Sequence, residues 1–377
     1  MKKRLVIITE IIAPYRIPVF NALTRRDDVD PHVIFLSETD PSLREWRVPK
    51  QEIEFSYEVL PSFRRRLGKY NVLLNRGVTR ALRDSSPDVL ICGGYSYVAS
   101  WQAASWCRRN QIPLVLWVES TIRDQRQGHA GVEHLKRRFI TLSDRFVVPG
   151  RSAADYLRTF GVTSDSIYHA PNAVDTEFFA NTPLTQTKSD PRLPEKFFLY
   201  VGRLVQQKGV FDLLAAYEKL TPEVRDKFGL VLAGSGVERS HLEQRARNIC
   251  PGTIVFTGFQ QKEELARLYA RAHALIFPTH SDPWGLVVNE AMACGLPIIA
   301  TSVAGCVSDL VEDGWNGRIT PSGNVSQLAA AMDSLAHNPE AREAMSANSR
   351  ARSRKYSPEA CAHGLARAAN ATEFARG

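Results

Sequence analysis

Ala274-Leu275-Ile276-Phe277-Pro278-Thr279-His280-Ser281-Asp282-Pro283-Trp284-Gly285-Leu286-Val287-Val288-Asn289-Glu290-Ala291-Met292-Ala293-Cys294-Gly295-Leu296-Pro297-Ile298-Ile299-Ala300 is the stretch whose reading decides the fold. Ala274–Phe277 is a short apolar run closed by a proline, the pattern of a strand buried on both faces. A polar loop follows. Leu286–Cys294 has the length and composition of a helix, and Pro297–Ala300 is apolar again. Strand, loop, helix and strand in so short a span form a βαβ unit, which requires parallel pairing. In parallel sheets ligands bind beyond the carboxyl ends of the strands, so the loop holding Asp282 and Gly285 is also the first candidate site. Free N–H groups from Leu286 onward can hold a phosphate, and the helix dipole favours its charge. Gly285 lets the backbone come close. Glu290, one turn into the helix, can accept hydrogen bonds from a pair of hydroxyls, while Asp282, eight positions earlier, faces another part of a ligand. Either carboxylate alone reads better as a capping Asp or an exposed Glu. The pair, with Pro283-Trp284-Gly285 between and Gly295-Leu296-Pro297 after, favours a site.

Working outward, Val201-Gly202-Arg203-Leu204-Val205-Gln206-Gln207-Lys208-Gly209 also joins a strand, Phe197–Val201, to a helix, Val210–Lys219. Arg203 offers a planar fork and Lys208 a point charge, together a clamp for a diphosphate. They would stabilise charge building on a departing diphosphate. An ordinary solvated loop is the alternative. Phe228–Ala233 is a strand closed by Gly234-Ser235-Gly236. Helices are expected over Glu238–Asn248, Lys262–Ala272, Val325–Asn338 and Pro339–Lys355, and a strand over Ile254–Thr257. A tail helix starts after Ser357-Pro358, where proline suits a first helical position. Upstream the same alternation recurs: strands Arg4–Thr9, His32–Leu36, Asp88–Cys92, Leu114–Val118 and Arg145–Val148, and helices Ile17–Thr24, Asn71–Asp84, Tyr97–Arg109 and Ser152–Phe160. The polar segment Asn181–Pro194 reads as a linker. The fold class is therefore α/β, with one doubly wound domain over residues 1–180, a second over 195–355, and a C-terminal helix, 356–377, returning to the first. Two such domains facing each other would hold a ligand in the cleft between them.

Composition fits this reading. The 377 residues are too many for one ordinary core. Hydrophobic residues make up 44% and charged residues 23%, which excludes a disordered chain. No apolar run is long enough to span a bilayer, and Arg4–Thr9 reads as a first strand rather than a leader, so a cytoplasmic location is expected. The six cysteines have no Cys-x-x-Cys spacing, which disfavours a zinc or redox site. The net charge of +8 is uneven: residues 1–180 hold 26 Lys/Arg against 20 Asp/Glu, and the rest 22 against 20. That excess hints at an anionic surface or substrate on the first half. It is too modest, and too free of recognisable motifs, for a nucleic-acid protein.

These stretches resemble the retaining glycosyltransferases of family 4, which have the GT-B fold. Gly202-Arg203-Leu204, Lys208-Gly209 and Asp282-x7-Glu290 in Glu290-Ala291-Met292-Ala293-Cys294-Gly295-Leu296-Pro297 carry the likeness. Ala170-Pro171-Asn172-Ala173-Val174-Asp175, Ala233-Gly234-Ser235-Gly236, Ala304-Gly305 and Gly314-Trp315-Asn316-Gly317 extend it, so that it covers essentially the whole chain and is strongest from Asn172 to Ile319. The resemblance implies a nucleotide-diphosphate sugar as donor. Gly202, Arg203, Lys208 and Gly234 would lie along its diphosphate, Gly285 and Leu286 would offer N–H groups, Glu290 would hold the ribose and Asp282 the transferred sugar. Asp282 departs from the family's usual first Glu, a shorter arm whose sugar contact differs or passes through water. The resemblance further implies that anomeric configuration is retained, that the leaving diphosphate takes the acceptor proton, and that the acceptor is a glycan or lipid-linked sugar in cell-surface polysaccharide assembly. No cofactor and no metal site are expected, Arg203 and Lys208 standing where a metal would act.

The first half departs further from the family. Ile11-Ile12-Ala13-Pro14-Tyr15-Arg16-Ile17-Pro18 replaces a Gly-Gly loop, and Glu119-Ser120-Thr121 stands where a His is usual. Arg16 can reach a phosphate or an acidic acceptor, or sit at the surface. Glu119 can orient the acceptor hydroxyl or merely end a strand. Tyr95, after Gly93-Gly94, can stack on a sugar or pack. Arg64, Arg65, Arg66 and Lys69, interleaved with Phe63, Leu67 and Tyr70, suit an anionic bilayer, a lipid-diphosphate acceptor or a plain surface loop. Rival functions are a nucleotide-sugar epimerase, which would convert donor alone, and a catalytically silent nucleotide-sugar-binding homologue. A pyridoxal-dependent phosphorylase lacks its Schiff-base lysine motif here.

Overall fold

The computed structural model describes residues 2–40, 45–67, 70–122, 130–182, 191–250 and 252–371. It divides into two compact units, Met1–Val174 with Pro358–Gly377, and Asp175–Ser357. The first unit holds β1 (Lys3–Thr9), β2 (Val29–Phe35), β3 (Ser56–Val59), a hairpin of β4 (Ser62–Leu67) and β5 (Tyr70–Asn75), then β6 (Val89–Cys92), β7 (Leu114–Trp117), β8 (Arg145–Val148) and β9 (Ile167–His169). Seven strands form one sheet in the order β3-β2-β1-β6-β7-β8-β9, every neighbour parallel. The second unit holds β10 (Phe197–Val201), β11 (Gly229–Ala233), β12 (Ile254–Gly258), β13 (Ala274–Phe277), β14 (Ile298–Thr301) and β15 (Gly317–Thr320), all parallel, in the order β12-β11-β10-β13-β14-β15.

Strand periodicity explains the layering. Successive side chains leave opposite faces, so Val6 and Ile8 of β1 enter one core while Leu5 and Ile7 enter the other. Both faces are covered by helices, which is why these strands read as unbroken apolar runs. One face of the first sheet is covered in part by the last helix, Pro358–Asn370, through Cys361, Ala362, Leu365 and Ala369. That helix sits close: a Cβ on Gly364 would lie 2.2 Å from the His169 carbonyl oxygen. In the second unit Phe198, Tyr200, Leu230 and Leu232 pack beneath Val210, Leu213 and Tyr217 of the helix Val210–Glu218.

In each sheet the strand order reverses once, between β1 and β6 and between β10 and β13. These are the topological switch points, where loops diverge and leave a crevice at the carboxyl edge.

One expected element is wrong. The helix expected over Asn71–Asp84 is instead strand β5 followed by the shorter helix Val78–Ser85. Val72, Leu73 and Leu74 pair with Arg65, Arg64 and Phe63 of β4, and the helix begins only after Gly77 at φ 84°. Local pairing across the Gly68-Lys69 dipeptide outweighs the helical spacing of Val72, Leu73, Val78 and Leu82. The hairpin also alters the basic patch. Arg64 is mostly buried and its guanidinium sits between Glu10 and Asp40, the latter only 2% exposed, so it is committed to an ion pair rather than to an outside anion. Arg65 is exposed; Lys69 and the Arg66 side chain lie outside the described residues. Residues 183–190 of the expected linker also lie outside them. Among the described residues no helix is long and apolar enough to cross a membrane.

Candidate active site

The second unit gathers its candidates at the carboxyl edge of β10 and β13. Gly202 and Arg203 follow β10 directly. The Tyr200 hydroxyl donates to the Arg203 carbonyl at 2.8 Å, and the Leu204 N–H to the Ser235 carbonyl at 2.7 Å, which ties this loop to the one after β11. The two loops touch closely enough that a Cβ on Gly234, at φ 147°, would lie 1.8 Å from the Gly202 carbonyl oxygen. Gly234 thus lets the loops after β10 and β11 pack backbone against backbone. Arg203 is exposed and makes no ion pair among the described residues.

Lys208 and Asp282 meet across the switch point. Lys208 Nζ donates to Asp282 Oδ2 at 2.5 Å, with side chains only 14% and 18% exposed. Asp282 Oδ1 accepts the Trp284 N–H at 3.2 Å. The His280 N–H donates to the Gln207 carbonyl at 3.0 Å, so the loops carrying Lys208 and Asp282 are also joined through backbone. Gly285, at φ 101°, is the residue before the helix Leu286–Ala293. A side chain there would be strained and would meet the Phe277 ring. The chain therefore turns sharply enough to aim the Leu286 end of the helix at the crevice edge. Trp284 anchors this turn: it is buried and its Nε1 donates to Asn289 Oδ1 at 2.9 Å.

Glu290 lies further along the same helix. Its Oε2 accepts from the Tyr269 hydroxyl at 2.7 Å. Burial pushes its carboxyl up to about 7, against the pull of the Tyr269 hydrogen bond and of Lys262. Lys262 is held by Asp175 at 2.9 Å and lies over the Phe178 ring at 4.1 Å. Sequence reasoning missed Tyr269, Lys262 and the Trp284–Asn289 pair. Tyr269 lies in an ordinary amphipathic helix, Lys262–Arg271, and only its contact reveals its importance.

The first unit brings two of its three candidates together. Arg16 Nη2 binds Glu119 Oε1 at 2.7 Å, and the Arg16 guanidinium lies 4.2 Å from the Trp117 ring centroid, a cation–π contact. Arg16 follows β1 and Glu119 follows β7, so both are at the carboxyl edge. Arg16 Nη1 and Trp117 Nε1 are buried without a hydrogen-bond partner among the described residues, an unusual state for two donors side by side. Tyr95 does not join them. It packs on the core, 6.1 Å from the Phe139 ring, and its carbonyl accepts from Trp101.

The sequence also holds an Asp-x-Asp triplet, Asp28-Val29-Asp30. It lies at the opposite, amino-terminal edge of β2. Arg26 binds Asp28 at 2.8 Å and holds its carboxyl below the usual range, and Arg4 binds Asp30 at 2.6 Å. Both carboxylates are engaged in structural pairs remote from the carboxyl edge.

Two clustered cations, a helix start and a carboxylate at one switch point have the donors and acceptors to hold a diphosphate and a diol. Residues 183–352 match the model of glycosyl transferases group 1, and residues 20–178 that of glycosyltransferase family 4. The chain belongs to the group 1, family 4 glycosyltransferases. The glycogen synthase of Mycobacterium tuberculosis is 31% identical over 268 residues, covering 69% of this chain and 62% of that enzyme. The O-antigen chain mannosyltransferase B of Escherichia coli is 27% identical over 215 residues, 56% of each chain. The matched region thus spans less than two thirds of these curated relatives. Among solved structures, Anabaena HepE in complex with UDP and glucose superposes with a TM-score of 0.76 at 18% identity, covering 97% of this chain and 98% of that one. WaaG, a glycosyltransferase of lipopolysaccharide biosynthesis, gives 0.67 at 15%, covering 98% and 100%. The group 1 glycosyltransferase chain therefore has the GT-B architecture of two Rossmann-like domains.

Proposed function

We propose that this chain is a retaining glycosyltransferase that moves a sugar from a UDP- or GDP-sugar to a glycan or lipid-linked acceptor in cell-surface polysaccharide assembly. The observation that carries the proposal is the convergence of the loops bearing Arg203, Lys208 and Asp282, and of the helix Leu286–Ala293 bearing Glu290, at the β10–β13 switch point. Arg203 takes the diphosphate with its exposed fork and Lys208 with the N–H that Asp282 and the Ser281 carbonyl leave open. The N–H groups at Gly285 and Leu286 face the same anion. Glu290 holds the ribose through Oε1. Charge building on the departing diphosphate is met by these fixed cations, with no metal required.

The acceptor belongs to the first unit. There the unpartnered donors of Arg16 and Trp117 and the part-exposed Glu119 are the polar groups an incoming hydroxyl or phosphate would engage. The relatives named for glycogen, O-antigen and lipopolysaccharide synthesis favour a saccharide acceptor. An epimerase or a silent homologue would leave this second polar cluster without use.

Incubation with a panel of UDP- and GDP-sugars, a glycolipid extract and EDTA tests the proposal. Release of nucleoside diphosphate that depends on the extract, with an anomeric proton signal of unchanged configuration in the product, is expected. Donor turnover without acceptor would favour the epimerase. Loss of all turnover in EDTA would refute the metal-independent mechanism.

A further inference from the structure

Tyr269 is fully buried in the last turn of the helix Lys262–Arg271, a place where phenylalanine would fill the same volume without burying a hydroxyl. That hydroxyl donates to Glu290 Oε2 at 2.7 Å. Its ring is fixed edge-on to Phe179 at 6.0 Å, and the Phe179 carbonyl in turn accepts from the Cys294 thiol at 3.3 Å. The hydroxyl has little freedom to turn elsewhere.

We infer that Tyr269 is a positioning residue for the donor site: it pins Glu290 Oε2, so that Oε1 faces the ribose. The inference rests on the donor-site reading above. A pinned carboxylate enters the complex with one rotamer already chosen, and an ionised acceptor binds hydroxyls more strongly than a protonated one. The groups facing Glu290 define its balance. Tyr269 and Lys262 favour ionisation, and Lys262 is itself neutralised by Asp175. The Cys294 thiol, pushed up by burial, stays neutral, with Arg350 beyond it donating to the Cys294 carbonyl. Burial outweighs Tyr269 and Lys262, so removing one of these two supports moves Glu290 further toward its protonated form.

The test is calorimetric titration of wild type and Tyr269→Phe with UDP and with GDP, between about pH 6 and pH 9 across the range in which a raised carboxyl titrates. Wild type should lose affinity as pH falls through the Glu290 midpoint. In Tyr269→Phe that limb should move to higher pH, with affinity reduced roughly fivefold near neutrality, the size of one lost hydrogen bond, and partly recovered at the alkaline end. The nucleotide's own phosphate titration is common to both proteins and cancels. In a Glu290→Gln background the same change should produce no pH shift. Equal affinities at every pH, or a uniform loss with an unmoved limb, would overturn the inference, since a purely packing role gives one of those. Failure of folded wild type to bind either nucleotide overturns the donor-site reading, and this inference falls with it.

Discussion

Lys208 and Asp282 illustrate how a residue's role depends on its partner. The shorter Asp282 reaches Lys208 and the Trp284 N–H, so both its oxygens serve the loop before any sugar arrives. Lys208→Ala should weaken UDP or GDP binding by about tenfold, the worth of a charge-assisted hydrogen bond. It should change uridine or guanosine binding little, a contrast read by calorimetry. Glu290 makes a prediction of opposite sign for stability. Its folded midpoint, about 7, is above the ordinary carboxyl value, so the folded state binds a proton that the unfolded state has already lost. The stability from that proton is present below the ordinary value and is lost as pH rises through about 7. Glu290→Gln should therefore melt above wild type at alkaline pH while binding nucleotide less well, and the gap should close toward acid pH. A Glu290→Gln melting curve parallel to wild type at all pH values would contradict this.

At the scale of elements, the carboxyl edge was legible because glycine and charge are concentrated where strands end: Gly202-Arg203 after β10, Gly234 after β11, Asp282 and Gly285 after β13. The central strands were legible too, since burial on both faces leaves mostly apolar residues; β3, β9 and β15, at the sheet edges and carrying polar residues, were not. What escaped is what depends on pairing across space. Val72 and Leu73 satisfy a helical pattern, and only their partners in β4 make them a strand. Arg64 looks like a surface cation until Glu10 and Asp40 are placed beside it. Arg16 and Glu119, far apart in sequence, were each legible as candidates, but their ion pair was not. Gly234→Val should disrupt the contact between the loops after β10 and β11, because a Cβ meets the Gly202 carbonyl. Nucleotide binding should fall at least tenfold, the scale of about 1.4 kcal/mol, and the overpacking strain is itself about 1–3 kcal/mol. Normal binding in that variant would show that this edge is not used.

At the scale of the whole molecule, the chain returns after Ser357 to finish the first unit: Pro358–Asn370 covers apolar residues of β1, β6 and β8. Gly364→Val should destabilise that unit by about 1–3 kcal/mol through overpacking against β9. Nucleotide affinity should stay unchanged, because Arg203, Lys208 and Glu290 all belong to the second unit. A lower melting transition with an unaltered titration is the expected pair of results. The same division of labour frames the central claim, that the second unit is a nucleotide-sugar site built on Arg203, Lys208 and Glu290. Its most direct test is calorimetric titration of the purified chain with UDP and, separately, GDP in the absence of metal, beside Glu290→Ala. Micromolar binding of one nucleotide, lost in Glu290→Ala, is the predicted result. A folded wild-type chain that binds neither, or a Glu290→Ala variant that binds as wild type does, would contradict it.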